Sequence, residues 1–232
     1  MQSILLEIPL PWGGSIKIFA YGFMLALAFL AGLFLVKRRA RRAGIAPEVI
    51  LNLCMLVIVG SIIGARLFYC IQFYDHFDSV FGFFRIWEGG LVFYGGFIGA
   101  VLVSFFYSRI KKLSFAQLGD LFAPSVALGI GLTRIGCFLN GCCYGPPTRS
   151  MLGVRFPENA LPYRDPVVIR RAVEIGLVET GEVAANGLSA VCPPLHPVQL
   201  YSVVGNLLIL ALVLLYEKYF SPSKGSVFLF FC

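Results

Sequence analysis

Charged side chains are scarce in this sequence: only 13% of its 232 residues are Asp, Glu, Lys or Arg. A soluble domain usually carries about a quarter charged residues. So few charges cannot cover a solvated surface, and 58% of the residues are hydrophobic, so most of the surface must face lipid. The composition therefore excludes an ordinary soluble domain and indicates a polytopic membrane protein.

Several catalytic and binding signatures are also missing. The sequence contains no Gly-x-Ser-x-Gly, no His-Glu-x-x-His, no phosphate-binding loop and no Cys-x-x-Cys. The net charge of +7 could suggest a nucleic-acid partner. However, the tightest basic run, Lys37–Arg42, directly follows an apolar run, which is typical of a cytoplasmic topology signal. We therefore expect a lipid bilayer, and no nucleic acid, as the partner of these charges.

Five apolar segments are long enough to cross a bilayer, which needs about twenty helical residues. They are Ile18–Val36, Val49–Gln72, Leu91–Ser108, Phe115–Gly136 and Val198–Tyr216. Basic residues after the first and third segments predict that these ends are cytoplasmic, which places Met1–Lys17 outside. The predicted fold is all-α, a polytopic transmembrane helical bundle that forms one integral membrane domain over residues 1–232.

The connections between these segments differ in length and composition. Phe73–Glu88, and the longer stretch 137–197 rich in Pro, Gly and charge, are both predicted outside. The stretch 137–197 is interpreted as a soluble extracytoplasmic excursion between spans four and five, and Glu217–Lys224 is predicted to be cytoplasmic. Gly225–Cys232 begins a sixth apolar run that is too short to cross, so the chain is expected to end inside a helix.

Polar side chains interrupt the apolar spans near their predicted outer ends. Arg66 and Arg134 lie inside otherwise apolar helices, where an arginine is costly and usually faces a cavity or a partner, unless it snorkels to the headgroups. A guanidinium matches phosphate oxygens bidentately, which favours a phospholipid headgroup as the ligand. Four further polar residues are predicted at this depth, although single tyrosines here are more often interfacial than catalytic: Tyr21, Tyr94, Asn140 and His196.

The glycines and cysteines of the helices have simpler interpretations. Gly60 and Gly64, like Gly95 and Gly99, are four residues apart, which permits close helix packing. Of the seven cysteines, two are interpreted as small buried hydrophobic residues, Cys54 and Cys70.

Four cysteines fall in the predicted outer region, where disulfides are permitted: Cys137, Cys142, Cys143 and Cys192. A disulfide, free thiols and a zinc site that includes His196 all remain open. Vicinal cysteines are poorly spaced for tetrahedral ligation, so the sequence favours the first two and we expect no metal.

Five stretches, in order along the chain, resemble the prolipoprotein diacylglyceryl transferase family of bacterial membranes. They are "AYGFMLALAF" at 20–29, "GARLFY" at 64–69, "RIWEGGLVFYGGFIG" at 85–99, "DLFAPSVALGIGLTRIGCFLNGCCYG" at 120–145 and "HPVQLY" at 196–201. The resemblance covers nearly the whole chain. It implies a multi-pass protein of the inner membrane, in a family with seven spans, whose N-terminus and active site are extracytoplasmic.

The resemblance also implies an activity and roles for individual residues. The family transfers the diacylglyceryl group of phosphatidylglycerol to the lipobox cysteine thiol of a preprolipoprotein, forms a thioether, releases glycerol phosphate and needs no cofactor. Arg134 matches the arginine that holds the headgroup, and Arg66 matches a second-helix arginine. Tyr21 matches the first-helix tyrosine, and Asn140 and Gly145 match signature positions around the headgroup.

Three positions depart from the family pattern. Tyr94 stands where the family has histidine, Cys137 where it has asparagine, and Cys142 where it has an acidic residue, while the late arginine of the family lies beyond this chain. Tyr94 is a poor base at neutral pH, so His196 becomes the nearest alternative base. Two other functions therefore remain open: a non-catalytic phospholipid-binding or transport paralogue, and a membrane thiol-redox or metal-binding protein.

Overall fold

The structure is a computed structural model that describes six parts of the chain: residues 4–9, 15–73, 90–157, 160–179, 192–220 and 223–231. Residues 74–88 of the predicted loop Phe73–Glu88 lie outside these ranges, as does Cys232. The described residues form two compact units. The first comprises residues 1–32 and 125–215, and the second comprises residues 33–124 and 216–232.

The five predicted spans are confirmed as helices long and apolar enough to cross a membrane. They are α1 (Ala20–Arg42), α2 (Pro47–Gln72), α3 (Phe93–Ile110), α4 (Phe115–Asn140) and α6 (Val198–Phe220). The described residues also form two short α-helices, α5 (Pro166–Glu174) and α7 (Ser226–Phe231), and a 3₁₀ turn at Leu161–Arg164. The helix α1 continues through the basic run, beyond the predicted end of the span at Val36. The charged side chains end the apolar pattern, but they do not interrupt the backbone hydrogen bonds of the helix.

The end of α4 corrects one predicted boundary. The sequence places Cys137 in the excursion, but the helix continues through Asn140. Cys137, Phe138 and Leu139 are apolar and extend the helical face, and the helix ends where Gly141 adopts a φ of 71°. Glycine reaches this left-handed conformation without steric cost and commonly terminates helices.

A β-hairpin precedes α1, and the all-α prediction did not anticipate it. Strand β1 (Ile4–Pro9) pairs antiparallel with β2 (Ser15–Phe19), in a register that sets Glu7 opposite Lys17. The hydroxyl of Ser15 donates a hydrogen bond to the Glu7 carboxylate across the pair. The hairpin satisfies the backbone polar groups of a segment that is too short to span.

Helices α2 and α3 of the second unit pack against each other through their glycines. A methyl group on Gly64 would collide with the carbonyl oxygen of Gly95, and one on Gly99 would collide with that of Gly60. The spacing noted in the sequence therefore serves close helix packing, as predicted.

The buried core of the second unit lies where the predicted cytoplasmic ends of the helices meet. It consists of Val36, Ala40, Ile45, Ile50, Leu53, Tyr107, Leu118 and Leu121.

Two polar residues tie the second unit together across distant parts of the sequence. Arg39 is buried, and its Nη2 atom donates to the Asp120 carbonyl oxygen and to Glu217 Oε1, both at 3.0 Å. The side chain of Asp120 meanwhile accepts hydrogen bonds from the backbone N–H groups of Gly225 and of Phe228, the latter at 2.8 Å. Asp120 thus caps the beginning of α7 from another helix.

The excursion in the first unit folds around its own small core. Phe156, Val168, Cys192 and Leu195 are buried together. Asp165 caps α5 by accepting from the backbone N–H of Val167 at 3.0 Å. The described residues of the excursion therefore form a packed element that can position side chains at the end of α4.

Candidate functional site at the end of α4

Arg134 lies six residues before the end of α4, on the part of the helix that belongs to the first unit. Its side chain is half-buried. It forms no hydrogen bond and no ion pair with any residue that the structure describes. A guanidinium carries five N–H donors and stays charged. Because no described residue occupies these donors, Arg134 can offer them to an anion.

Tyr21, at the beginning of α1, lies beside this arginine. Its ring packs on α4 at Gly136, where Cδ2 would lie 3.5 Å from a methyl group on that glycine. The phenol is within electrostatic range of Arg134 and of the cysteines at the end of α4. The structure thus brings together Tyr21 and Arg134, two residues that the sequence placed at one depth on different helices.

The chain turns sharply after Asn140, the last residue of α4. Gly141 has a φ of 71° and Cys143 a φ of 59°, a value that side chains other than glycine rarely adopt. The N–H of Cys142 donates to the Cys137 carbonyl oxygen at 3.1 Å. This turn leads the chain from the half-buried Asn140 toward the segment before α6.

Gly145 and His196 hold that segment in place. The N–H of Gly145 donates to the His196 carbonyl oxygen at 2.9 Å, and the His196 N–H donates to the Pro146 carbonyl oxygen at 3.1 Å. A methyl group on Gly145 would lie 2.6 Å from Val198 Cγ2 and 2.9 Å from His196 Cβ. Only a glycine lets the two segments approach this closely. Gly145 therefore holds the His196 backbone in position through its own backbone N–H and through its small size.

The His196 side chain is half-buried, and its Nδ1 lies 3.1 Å from the Tyr201 hydroxyl. Within the described ranges its Nε2 forms no hydrogen bond. A ring with one nitrogen fixed and the other open has the arrangement of an oriented acceptor or base.

One site residue was missed by sequence reasoning. Gln199 is fully buried, and its Nε2 donates to the Cys142 carbonyl oxygen at 2.7 Å, which joins α6 to the turn after α4. Its position inside "HPVQLY", a stretch otherwise predicted to open an apolar span, was the available signal, because a buried amide needs partners.

The cysteines of this region are free thiols. None of the six described cysteines forms a disulfide, and the Sγ atoms of Cys137, Cys142 and Cys143 all lie within 4.8 Å of one another. Cys192 lies apart in the excursion core, where burial raises the pKa of its thiol. Of the alternatives that the sequence left open, a disulfide among the described cysteines is therefore absent.

Arg66 and Tyr94, two further predicted site residues, lie in the second unit. Arg66 is 4% exposed, so it does not snorkel. Its Nη1 donates to the Gly90 carbonyl oxygen at 3.1 Å, and its guanidinium lies 5.3 Å from the Tyr69 ring centroid. Tyr94 is 72% exposed at the beginning of α3, with its ring against Phe93. Arg66 thus has partners within its own unit, whereas the Tyr94 phenol faces outward.

Beside the site, Tyr144 and Asp165 form a polar pair. The Tyr144 hydroxyl donates to Asp165 Oδ2 at 2.9 Å. Burial, then the hydrogen bond to this carboxylate and its negative charge, raise the pKa of Tyr144 well above its usual value. Tyr144 therefore stays protonated and anchors the excursion to the turn.

Comparison with known proteins assigns this chain to a family. The family model for prolipoprotein diacylglyceryl transferase matches residues 8–232. Three relatives bear the name phosphatidylglycerol–prolipoprotein diacylglyceryl transferase. The one from Geobacter sulfurreducens is 37% identical over 71% of this chain and 65% of its own length. Those from Clostridium tetani and Acaryochloris marina are 32% and 34% identical, over 98% and 93% of this chain and 78% and 71% of their own lengths.

The match to the family model runs through both units and every described transmembrane helix. The protein is therefore a multi-pass membrane protein that belongs to the prolipoprotein diacylglyceryl transferase family, a family of transferases.

Proposed function

We propose that this protein transfers the diacylglyceryl group from phosphatidylglycerol to the lipobox cysteine thiol of a preprolipoprotein, at the extracytoplasmic face of the bacterial inner membrane. The substrate sulfur attacks C3 of the glyceryl group, the C–O bond to the phosphate breaks, and a C–S bond forms. The thiol proton passes to a base, and glycerol phosphate leaves. The names of the relatives specify phosphatidylglycerol and prolipoprotein, which supports these two substrates.

The observation that carries this proposal is the guanidinium of Arg134, which forms no hydrogen bond or ion pair with the described residues. Negative charge develops on the phosphate as the C–O bond breaks, so a donor set already aimed at that phosphate lowers the barrier. A planar fork of N–H donors matches two phosphate oxygens at once. Tyr21 lies beside it with a hydroxyl that can donate to the same headgroup. Asn140 supplies a further amide at the helix end.

The proton acceptor is assigned to His196. Its Nδ1 is held by Tyr201, which leaves Nε2 open to accept a thiol proton directly or through one water. Tyr94 is exposed at the beginning of α3, and we assign the acceptor role to His196 instead. Arg66 is assigned a structural role within the second unit. Its contacts with Gly90 and Tyr69 fix the position of the backbone just before α3.

The test is a transfer assay with the full chain in phosphatidylglycerol vesicles and a lipobox peptide. Arg134→Ala should lower turnover by about 100- to 1000-fold, as the loss of one transition-state donor typically does. Arg134→Lys keeps the charge without the fork and should give an intermediate rate. The matched control is Arg149→Ala, which removes an exposed arginine that contacts the Ile175 carbonyl oxygen in the same unit.

The outcomes separate the possible functions. No mass shift on the peptide, with an active family member as positive control, would end the transferase proposal. Retained phosphatidylglycerol binding without a thioether product would instead support a lipid-binding paralogue. Full activity of Arg134→Ala would remove Arg134 from the site.

A further inference from the structure

Three thiols meet at the turn after α4, and the proposed transfer reaction uses none of them. The Sγ atoms of Cys137, Cys142 and Cys143 lie within 4.8 Å of one another. Cys137 is buried in the last turn of the helix, and the left-handed Gly141 folds the chain back so that the next two cysteines return to it. All three are unpaired thiols.

This spacing is close to that of three sulfur ligands on one metal ion. With metal–sulfur bonds of about 2.3 Å, three sulfurs in a trigonal plane lie about 4 Å apart. Sulfur atoms within 4.8 Å of one another therefore need only a small inward movement. Cys143, whose Sγ belongs to this group, has a φ of 59°, a backbone conformation that this residue type rarely adopts.

The number of donors selects the kind of ion. In the part of the chain that the structure describes, no His, Asp, Glu or further Cys joins the three thiols. Structural zinc sites are almost always four-coordinate, whereas soft thiolate ligands select Cu(I). Three sulfurs without a fourth donor therefore suit Cu(I) better than Zn(II).

We propose that Cys137, Cys142 and Cys143 form a binding site for Cu(I). Each thiol releases its proton to solvent as its sulfur binds the ion, and copper remains Cu(I), so no oxidant or reductant is consumed. Three thiolates and one monovalent cation form a complex with a net charge of −2. The complex is therefore an anion, formed at the end of the helix that carries Arg134.

The position of this anion links it to the lipid site. Cys137 follows Arg134 by three residues on α4, so their side chains are neighbours on one helix face. Tyr21 is within electrostatic range of the arginine and of all three cysteines. The Cu(I)-loaded cluster therefore competes with a phosphate for the guanidinium. This consequence rests on the proposed function, whereas the metal site itself does not.

The test is a Cu(I) titration of the reduced full chain in detergent, in competition with a chromophoric Cu(I) chelator. One Cu(I) per chain is expected. Cys142→Ser should weaken binding by more than about 100-fold, because even the loss of an outer-shell partner typically costs about 10- to 100-fold. Cys54→Ser is the matched control, since Cys54 packs beside the core of the second unit and should leave the affinity unchanged.

Folding is controlled with a second variant. Cys143 is exposed, so Cys143→Ser should fold and should also lose Cu(I). Equal Cu(I) binding by the wild type and the triple serine variant would overturn the proposal, as would equal loss in Cys54→Ser. Zn(II) bound more tightly than Cu(I) would overturn the choice of ion. None of these measurements depends on transferase activity, so the two proposals fail separately.

Discussion

Gly145 offers the sharpest test of how the site is held together. Its backbone N–H donates to His196, and a methyl group there would lie 2.6 Å from Val198 Cγ2, 2.9 Å from His196 Cβ and 3.0 Å from the His196 carbonyl oxygen. Two of these atoms belong to His196, the proposed base, and the third belongs to Val198, two residues later. Gly145→Ala must therefore push that segment away rather than rotate one flexible side chain.

The cost of this change follows from two contributions. Overpacking of a well-packed region typically costs about 1 to 3 kcal/mol. Separation of the two segments also weakens a hydrogen bond with a net worth of about 1 kcal/mol. Together they predict a loss of about 2 to 4 kcal/mol. The melting temperature measured in detergent should fall by roughly 2 to 4 °C for each kcal/mol of lost stability.

The control is Gly205→Ala on α6 of the same unit, because a methyl group there meets nothing within 4 Å. This change should leave the melting temperature unchanged or raise it slightly, since alanine favours a helix. Hydrogen exchange of the residue 145 amide should accelerate only in Gly145→Ala. Equal melting temperatures for the two variants and the wild type would refute the close approach of Gly145 and His196.

Three further predictions concern stability. The phenol of Tyr144 stays protonated when folded but ionises near pH 10 when unfolded, so stability should fall above about pH 10 by about 1.4 kcal/mol per pH unit. Tyr144→Phe should reduce that slope in pH-dependent melting and cost about 1 kcal/mol at neutral pH. Gly64→Ala should lower the melting temperature strongly, because the new methyl meets the Gly95 carbonyl oxygen in the backbone. Arg39→Gln should cost roughly 2 kcal/mol in denaturation assays, since it breaks the bonds to Glu217.

Each of these predictions has a matched control. Tyr94→Phe alters an exposed tyrosine and should leave the alkaline slope unchanged. Gly22→Ala places a methyl where nothing lies within 4 Å, and Arg38→Gln alters the exposed neighbour of Arg39. A stability loss in a control equal to that in its partner would show that the stated contact is not the cause.

The spans were predictable because their signal is local. About twenty apolar residues in sequence are sufficient to indicate a transmembrane helix. The β-hairpin was not predictable in this way, because a strand is stabilised by the strand it pairs with. Nothing in residues 4–9 alone indicates that residues 15–19 form that second strand. The end of α4 was misplaced because the composition changes at Cys137, whereas the backbone turns at Gly141.

The site was predictable only in part for the same reason. Arg134 stands out in an apolar helix, and the resemblance to a family gave Tyr21 and Asn140 their places. The contact from Gln199 to Cys142 joins residues 57 apart in sequence, and no local pattern encodes it. The meeting of three thiols likewise depends on a left-handed turn that spacing alone does not reveal.

The cap that Asp120 provides for α7 has a consequence for the synthesis and folding of the chain. The carboxylate accepts from the N–H of Phe228, which is 108 residues later. At a synthesis rate of about 5 to 20 residues per second, this partner emerges roughly 5 to 20 s after Asp120 itself. Until then the Asp120 carboxylate of the nascent protein lacks the two backbone N–H donors that it binds in the folded structure, because those residues have not yet been synthesised. Asp120 therefore gains these two backbone donors only after translation has passed Phe228.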